Sequence, residues 1–255
     1  MISLEDQIGN QIQLSGPAKR IVSLVPSQTE LLYFFGLENE TVGITKFCIH
    51  PEEWFRSKTR VGGTKNVQLQ KVMELKPDLI IANKEENTKE DIVALQEICP
   101  VYVSDVNNVD QALQMIRQVG ELSGVEQKAV ELIDDIRDDF GSLPNFNQSA
   151  IYLIWNEPFM ACGKDNFINA MMESIGLKNL IEDSRYITIS KEELIEKRPD
   201  VILLSTEPFP FTLNHCHDLE QELGIKVRLV DGEMFSWYGS RMLRMKDYFK
   251  KLDLD

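Results

Sequence analysis

The sequence predicts an α/β protein of two similar lobes, each built on a central, largely parallel sheet, with a long helical stretch joining them and a ligand cleft between them. Three observations predict it. Strand-like apolar runs alternate with helix-like segments in both halves of the chain. One segment recurs, VMELKPDLIIA at 72–82 and LIEKRPDVILL at 194–204, each reading helix, basic residue, Pro-Asp, buried strand. Between the copies, two apolar helical stripes follow one another with no strand between them.

Taken in order, the first half offers strands at IVSLV (21–25), TVGIT (41–45), LIIA (79–82) and VYVS (101–104). Ser27, with Glu30 three residues on, has the spacing of a capping box, and Gly36 closes the helix LLYFF. Residues 109–122 set Val109, Ala112, Leu113, Ile116, Val119 and Leu122 on one helical face; from about Val125 to Gly141 a second stripe runs through Ala129, Leu132, Ile133, Ile136 and Phe140. At roughly 1.5 Å per residue the second helix reaches about 25 Å, enough to connect two halves. The second half restarts with AIYLIW (150–155), a helix around 165–175, VILLS (201–205) and KVRLVD (226–231). Pro77 and Pro199 force the preceding residue out of the right-handed helical region and so end each helix just before a strand. The expected division is 1–108 for the first lobe, 109–144 for the helical connector and 145–255 for the second lobe.

Composition excludes several classes. A formal charge of −14, with no basic run to offset it, argues against nucleic-acid binding. No stretch of about 18 apolar residues is present, so direct membrane insertion is not expected. The start MISLEDQIGN lacks the pattern of a secretory signal. A chain cut after a native signal reads the same way, so the expected location is periplasmic or otherwise extracytoplasmic if a signal was removed, and cytoplasmic if Met1 is the native start. Cys48, Cys99, Cys162 and Cys216 are widely spaced and form no CxxC; they read as free thiols.

Four segments carry a resemblance: DQIGNQIQLSGPAKRIVSLVPSQTELLYFFGL, VGITKFCIHP, RVGGTKNVQLQKVMELKPDLIIA, and the series from SRYITISKEELIEKRPDVILLS to DGEMFSWYGSR. In order and over essentially the whole chain, they resemble the substrate-binding proteins of ABC importers for cobalamin, haem and ferric siderophores, most of all the cobalamin-binding branch. The resemblance implies two Rossmann-like lobes on a rigid backbone helix. It also implies a metal chelate bound as cargo, corrinoid or iron chelate, with no tightly held cofactor, and an ABC permease as partner. By position, Phe47 matches a ligand-contacting aromatic, Glu233 to Trp237 match the contact segment of the second lobe, and Phe159 falls where that branch places an aromatic. Two departures stand out. Gly63-Thr64 and Asn83-Lys84 replace first-lobe tryptophans, which implies a more polar pocket. Of the two acidic docking positions, Glu192 matches the second, but Gln70 occupies the first.

Ligands of open α/β sheets sit at the C-terminal strand ends. The expected contacts are therefore Phe47, Thr64 and Lys84 in the first lobe, and Trp155, Phe159, Glu233, Met234, Phe235, Ser236 and Trp237 in the second. Lys46, Lys65 and Lys84 are candidates to meet an anionic ligand. Glu233 and Arg241 are candidates to pair with each other or with ligand. His215 and His217 in NHCHD would share a face if extended, yet no third metal ligand has suitable spacing, and His50 is open to axial ligation or a plain surface role. No catalytic motif is present, so an enzyme is not expected and no catalytic or metal residue is assigned. The alternative is an intracellular protein that keeps the receptor fold but acts as sensor, chaperone or enzyme, uncoupled from transport.

Overall fold

In the computed structural model, which describes residues 1–254, the chain opens with an antiparallel hairpin, β1 (Ile2–Glu5) on β2 (Gln11–Leu14). Asp6 shapes its turn by accepting from the backbone N–H groups of Ile8 and Asn10, and Gly9 adopts φ +90°. There follow β3 (Ile21–Ser23), α1 (Pro26–Phe34), β4 (Thr41–Ile44), α2 (Glu52–Ser57) and three two-residue strands, β5 (Thr59–Arg60), β6 (Gly62–Gly63) and β7 (Asn66–Val67). Next come α3 (Leu69–Leu75), β8 (Leu79–Asn83), α4 (Lys89–Gln96), β9 (Val101–Ser104), α5 (Val109–Ser123) and α6 (Glu126–Phe140). The sheet order is β5-β4-β3-β8-β9, parallel throughout.

The described residues form two compact units. Met1–Val106, Asp110–Ile136 and Tyr238–Arg241 make the first, and the rest of the described chain makes the second. In the first, Val22, Leu24, Val61, Val72, Ile80 and Leu95 share one apolar core, and every residue of β8 is buried, as a central parallel strand requires. The capping box expected at Ser27 and Glu30 does not form. Pro26 takes the first helical position, where its missing N–H costs nothing, and Val25 caps without a side-chain bond. Glu30 is engaged elsewhere: its carboxylate accepts from Arg241 Nε at 2.8 Å and Nη2 at 2.9 Å, with both residues buried. This also corrects the pairing considered for Arg241, whose fork-shaped group matches a carboxylate in bidentate fashion.

The second unit contains β10 (Gln148–Trp155), β11 (Met160–Cys162), α7 (Phe167–Ser174), β12 (Leu177–Asn179) and β13 (Tyr186–Thr188). It continues with α8 (Lys191–Lys197), β14 (Val201–Ser205), α9 (Leu213–Leu223), β15 (Val227–Val230), α10 (Glu233–Ser236) and α11 (Met242–Lys251). Its sheet runs β13-β11-β10-β14-β15, with β12 also on β10. Strands β10, β12, β14 and β15 are parallel to their neighbours in this group, but β11 pairs antiparallel with both β10 and β13. The reason is loop length. Residues 156–159 are too few for a crossover, so β11 folds back as a hairpin.

The recurring segment folds alike in both units. Helices α3 and α8 each bury a single residue, Val72 and Leu194, and each is capped by a basic residue in the left-handed conformation, Lys76 at φ 47° and Arg198 at φ 49°. Proline expels the preceding residue from the right-handed region, and here it goes left-handed rather than extended. The aspartate that follows does equivalent work twice. Asp78 accepts from the N–H groups of Lys19 and Arg20 ahead of β3, while Asp200 accepts from the N–H and hydroxyl of Ser149 at the start of β10. Those bonds hold the Asp200 carboxyl below its ordinary pKa.

Candidate functional site

In the first unit the loop after β4 is tied inward by its cysteine. The Cys48 thiol is buried, accepts from Thr29 Oγ1 at 3.1 Å and lies 3.2 Å from Thr45 Oγ1; burial pushes its pKa up. With Cys48 turned in, its neighbours turn out. Phe47 is 50% exposed, Ile49 is exposed beside it, and Lys46 Nζ lies 4.9 Å from the Phe47 ring centroid. Gly63 forms the floor: a Cβ there would stand 3.3 Å from both the Phe47 ring and the Lys46 chain. The missing side chain lets an aromatic ring lie on backbone.

The polar residues expected to line the first-unit site serve instead to hold its loops. Asn83 is buried; its amide donates to Ser104, and its carbonyl accepts from the N–H groups of Glu85 and Glu86. Asn87 completes the lattice by accepting from Asn83 N and donating to the carbonyl of Thr64. Thr64 is buried. Its backbone carbonyl is held by Asn87, as groups leaving a sheet must find partners. Lys84 is exposed but sits 2.6 Å from Asp105 Oδ2, and Lys65 donates to the carbonyl of Glu85. The Tyr238 hydroxyl bonds to Ser104 and Gln28, and burial drives its pKa up.

The second unit presents an open concavity of about 590 Å³ lined by Thr206, Glu207, Leu229, Val230, Asp231, Glu233 and Tyr248, at the C-terminal ends of β14 and β15. Gly232 permits it. A Cβ there would fall 2.4 Å from Glu207 Cγ and 2.5 Å from Ser205 Oγ, so only glycine lets the chain after β15 approach so closely. Glu207 is half-buried. Ser236 Oγ donates to its Oε1 at 2.6 Å and Trp237 Nε1 at 3.1 Å, yet burial dominates and raises its pKa.

The expected second-unit contacts divide accordingly. Trp155 is 41% exposed, its ring edge-on to Phe209 at 5.7 Å. Glu233, Met234 and Ser236 are half-buried on α10, and Trp237 keeps 9% of its surface. Phe159 packs half-buried against the core. Phe235 is corrected outright: it is 0% exposed, clasped by Tyr152, Tyr248 and Phe249, because α10 turns it toward α11. The histidine pair is corrected too. The segment NHCHD is helical rather than extended, so His215 and His217 diverge; His215 Nδ1 accepts from Thr212 N and His217 faces Gln221. No metal-binding cluster occurs among the described residues. Glu192 is exposed on α8, and Gln70, exposed on α3, donates to Glu74. Thr206 and Tyr248 were not singled out as site residues, though their positions, just past VILLS and on a C-terminal apolar-striped helix, were the available signal; Asp231 opens the segment DGEMFSWYGSR.

Two α/β units that share a repeated helix-strand element, with loops and a concavity at their strand ends, define a small-molecule receptor of the binding-protein class. Residues 21–222 match the family model described as periplasmic binding protein, and the chain belongs to that family. An uncharacterized ABC transporter substrate-binding lipoprotein of Bacillus subtilis is 28% identical over 216 residues, 79% of this chain and 68% of that protein. A vitamin B12-binding protein of Vibrio cholerae is 27% identical over 199 residues, 74% and 71% of the two chains. Among solved structures, a protein of Staphylococcus epidermidis described as a possible iron-binding (periplasmic solute-binding) protein superposes with TM-score 0.77 at 25% identity, covering 91% of this chain and 98% of that one. The catecholate-siderophore binding protein of Vibrio cholerae has the same fold, with TM-score 0.81, 17% identity and coverage of 98% and 99%.

Proposed function

We propose that the chain is the substrate-binding protein of an ABC importer and carries a metal chelate of the cobalamin, haem or ferric-siderophore class outside the cytoplasm. The observation that carries this reading is the family match across 21–222, taken with a vitamin B12-binding relative that is similar over 74% of this chain. The chelate is cargo rather than a cofactor. In the first unit, Phe47 on its glycine floor is the proposed contact; in the second, Trp155, Glu233, Met234 and Trp237 are. The exposed rings of Phe47 and Trp155 suit a broad, flat or ring-bearing ligand, each stack being worth about 0.5–1.5 kcal/mol beyond burial. Glu192 is the proposed contact to the permease, as an exposed carboxylate on a short helix.

The test is direct. Trp155 and Trp237 should report ligand by fluorescence, so titration with cobalamin, haem and ferric siderophores is expected to quench emission with saturation for at least one of them. Mass spectrometry and absorbance of protein purified from its own cells should show a co-purifying chelate. Absence of binding to all three classes, with no chelate co-purifying, refutes the proposal.

A further inference from the structure

Resting on the reading of Trp155 and Trp237 as contacts, we propose that the loop 207–211 after β14 positions both tryptophans, Phe209 setting the plane of the first indole and Glu207 that of the second. The loop reads EPFPF, and two prolines in five residues fix its backbone at those points. Its three remaining N–H groups all have partners. Glu207 N donates to Ser205 Oγ at 3.3 Å, Phe209 N to the carbonyl of Ile154 at 3.3 Å, and Phe211 N to the carbonyl of Phe209 at 2.8 Å. The second of these ties the loop to the end of β10, one residue before Trp155.

Residues two apart on a strand share a face, yet Leu153 is buried and Trp155 exposed. The pairing of β10 with β11 shifts register between them, and a bulge of this kind re-aims the side chain that follows. The re-aimed indole meets Phe209 edge-on, and behind Phe209 stand Phe211 at 4.7 Å and His215 at 5.6 Å. Phe211 is buried, and His215 is fixed at the start of α9 by the N–H of Thr212. Rings thus run without a break from the core to an exposed indole. Trp237 is fixed by a bond instead, its Nε1–H donating to Glu207 Oε1 at 3.1 Å. That glutamate is itself anchored, since Ser205 Oγ donates to its carbonyl at 2.6 Å while accepting from the buried Tyr152 hydroxyl at 3.0 Å. Aromatic contacts depend on the angle between rings, so an indole held in one plane binds better than one that must be ordered on arrival.

The full chain is titrated by calorimetry, which does not depend on tryptophan content, with hemin, cyanocobalamin and a ferric tris-catecholate; the tightest-binding probe is carried through the variants. Trp155→Ala and Trp237→Ala should each weaken it about threefold to tenfold. Phe209→Leu should match the first and Glu207→Ala the second, while Phe209→Tyr, which keeps a ring, and Glu207→Gln, which keeps an acceptor oxygen, should stay within about twofold of the parent. Coupling decides the matter: in a Trp155→Ala background Phe209→Leu should cost less than about twofold more, and Glu207→Ala likewise in a Trp237→Ala background. A residue needed only for folding would weaken binding equally in both backgrounds. Phe209→Met or Glu207→Met takes the place of any variant whose melting curve shows it unfolded. In either arm, a tryptophan variant or a loop variant without effect, a full loss persisting in the tryptophan-free background, or no rescue by the conservative variant overturns the positioning role and leaves the receptor reading standing. Binding of none of the three probes overturns both.

Discussion

Replacing Arg241 by Met should destabilise the first unit far more than loss of a surface ion pair would. Glu30 and Arg241 retain 8% and 4% of their surface, and two charge-assisted hydrogen bonds of 2.8 and 2.9 Å join them. An exposed pair of this kind is worth at most about 1 kcal/mol. Truncating one partner of a buried pair strands the other charge and costs about 3–5 kcal/mol. For a unit of this size that corresponds to a fall in Tm of about 6–20 °C. The assay is thermal and urea unfolding at pH 7 followed by near-UV circular dichroism. The double variant Glu30→Leu, Arg241→Met should regain most of the loss, because an apolar replacement of a buried pair is close to neutral. A single variant within about 1 kcal/mol of the parent, or a double variant no better than the single, would refute the reasoning.

Phe47→Ala should leave stability within about 0.5 kcal/mol, its ring being half exposed, while weakening chelate binding about threefold to tenfold in the fluorescence titration. Phe235→Ala should instead cost about 3–5 kcal/mol in urea unfolding, as a fully buried ring in an aromatic cluster. Asp78→Ala and Asp200→Ala, measured the same way, should each cost about 1–2 kcal/mol and by similar amounts, since each carboxylate accepts hydrogen bonds from the chain at the entry to a parallel strand; a large inequality would break the equivalence. Burial holds the Glu207 carboxyl above its ordinary 4.5, so the folded state binds that proton more tightly than the unfolded chain. Stability should therefore decline as pH rises from 4.5 through the raised folded value, and Glu207→Gln should flatten that decline in urea midpoints taken from pH 4 to 8.

The strands and the repeat were legible because buried parallel strands read as unbroken apolar runs and because proline ends a helix wherever it falls. The hairpin β1-β2 was not, since it exposes alternate residues and presents no apolar run. The antiparallel β11 and β13 depend on a count of loop residues rather than on composition. The segment around His215 looked like a loop, though Thr212 and Gly224 now stand at its two ends as helix caps. Site residues were harder. Position at a strand end could be read for Phe47 and Trp155, but whether a ring faces water depends on what packs behind it: the inward tie of Cys48 exposes Phe47, and α11 buries Phe235. The acidic concavity draws Glu207 from one strand end, Asp231 from another and Tyr248 from a distant helix, a convergence no local window contains.

The four residues Tyr238–Arg241 have a consequence for how this protein can be taken apart. They pack with the first unit although the chain on either side of them belongs to the second. A gene fragment ending near residue 136 would encode Glu30, Gln28 and Ser104 without Arg241 and Tyr238, and would be expected to express poorly. The repeat is visible in the sequence, but the two units are not interchangeable parts. Engineering that swaps one unit between receptors has to carry this short return segment with the first unit, not with the second.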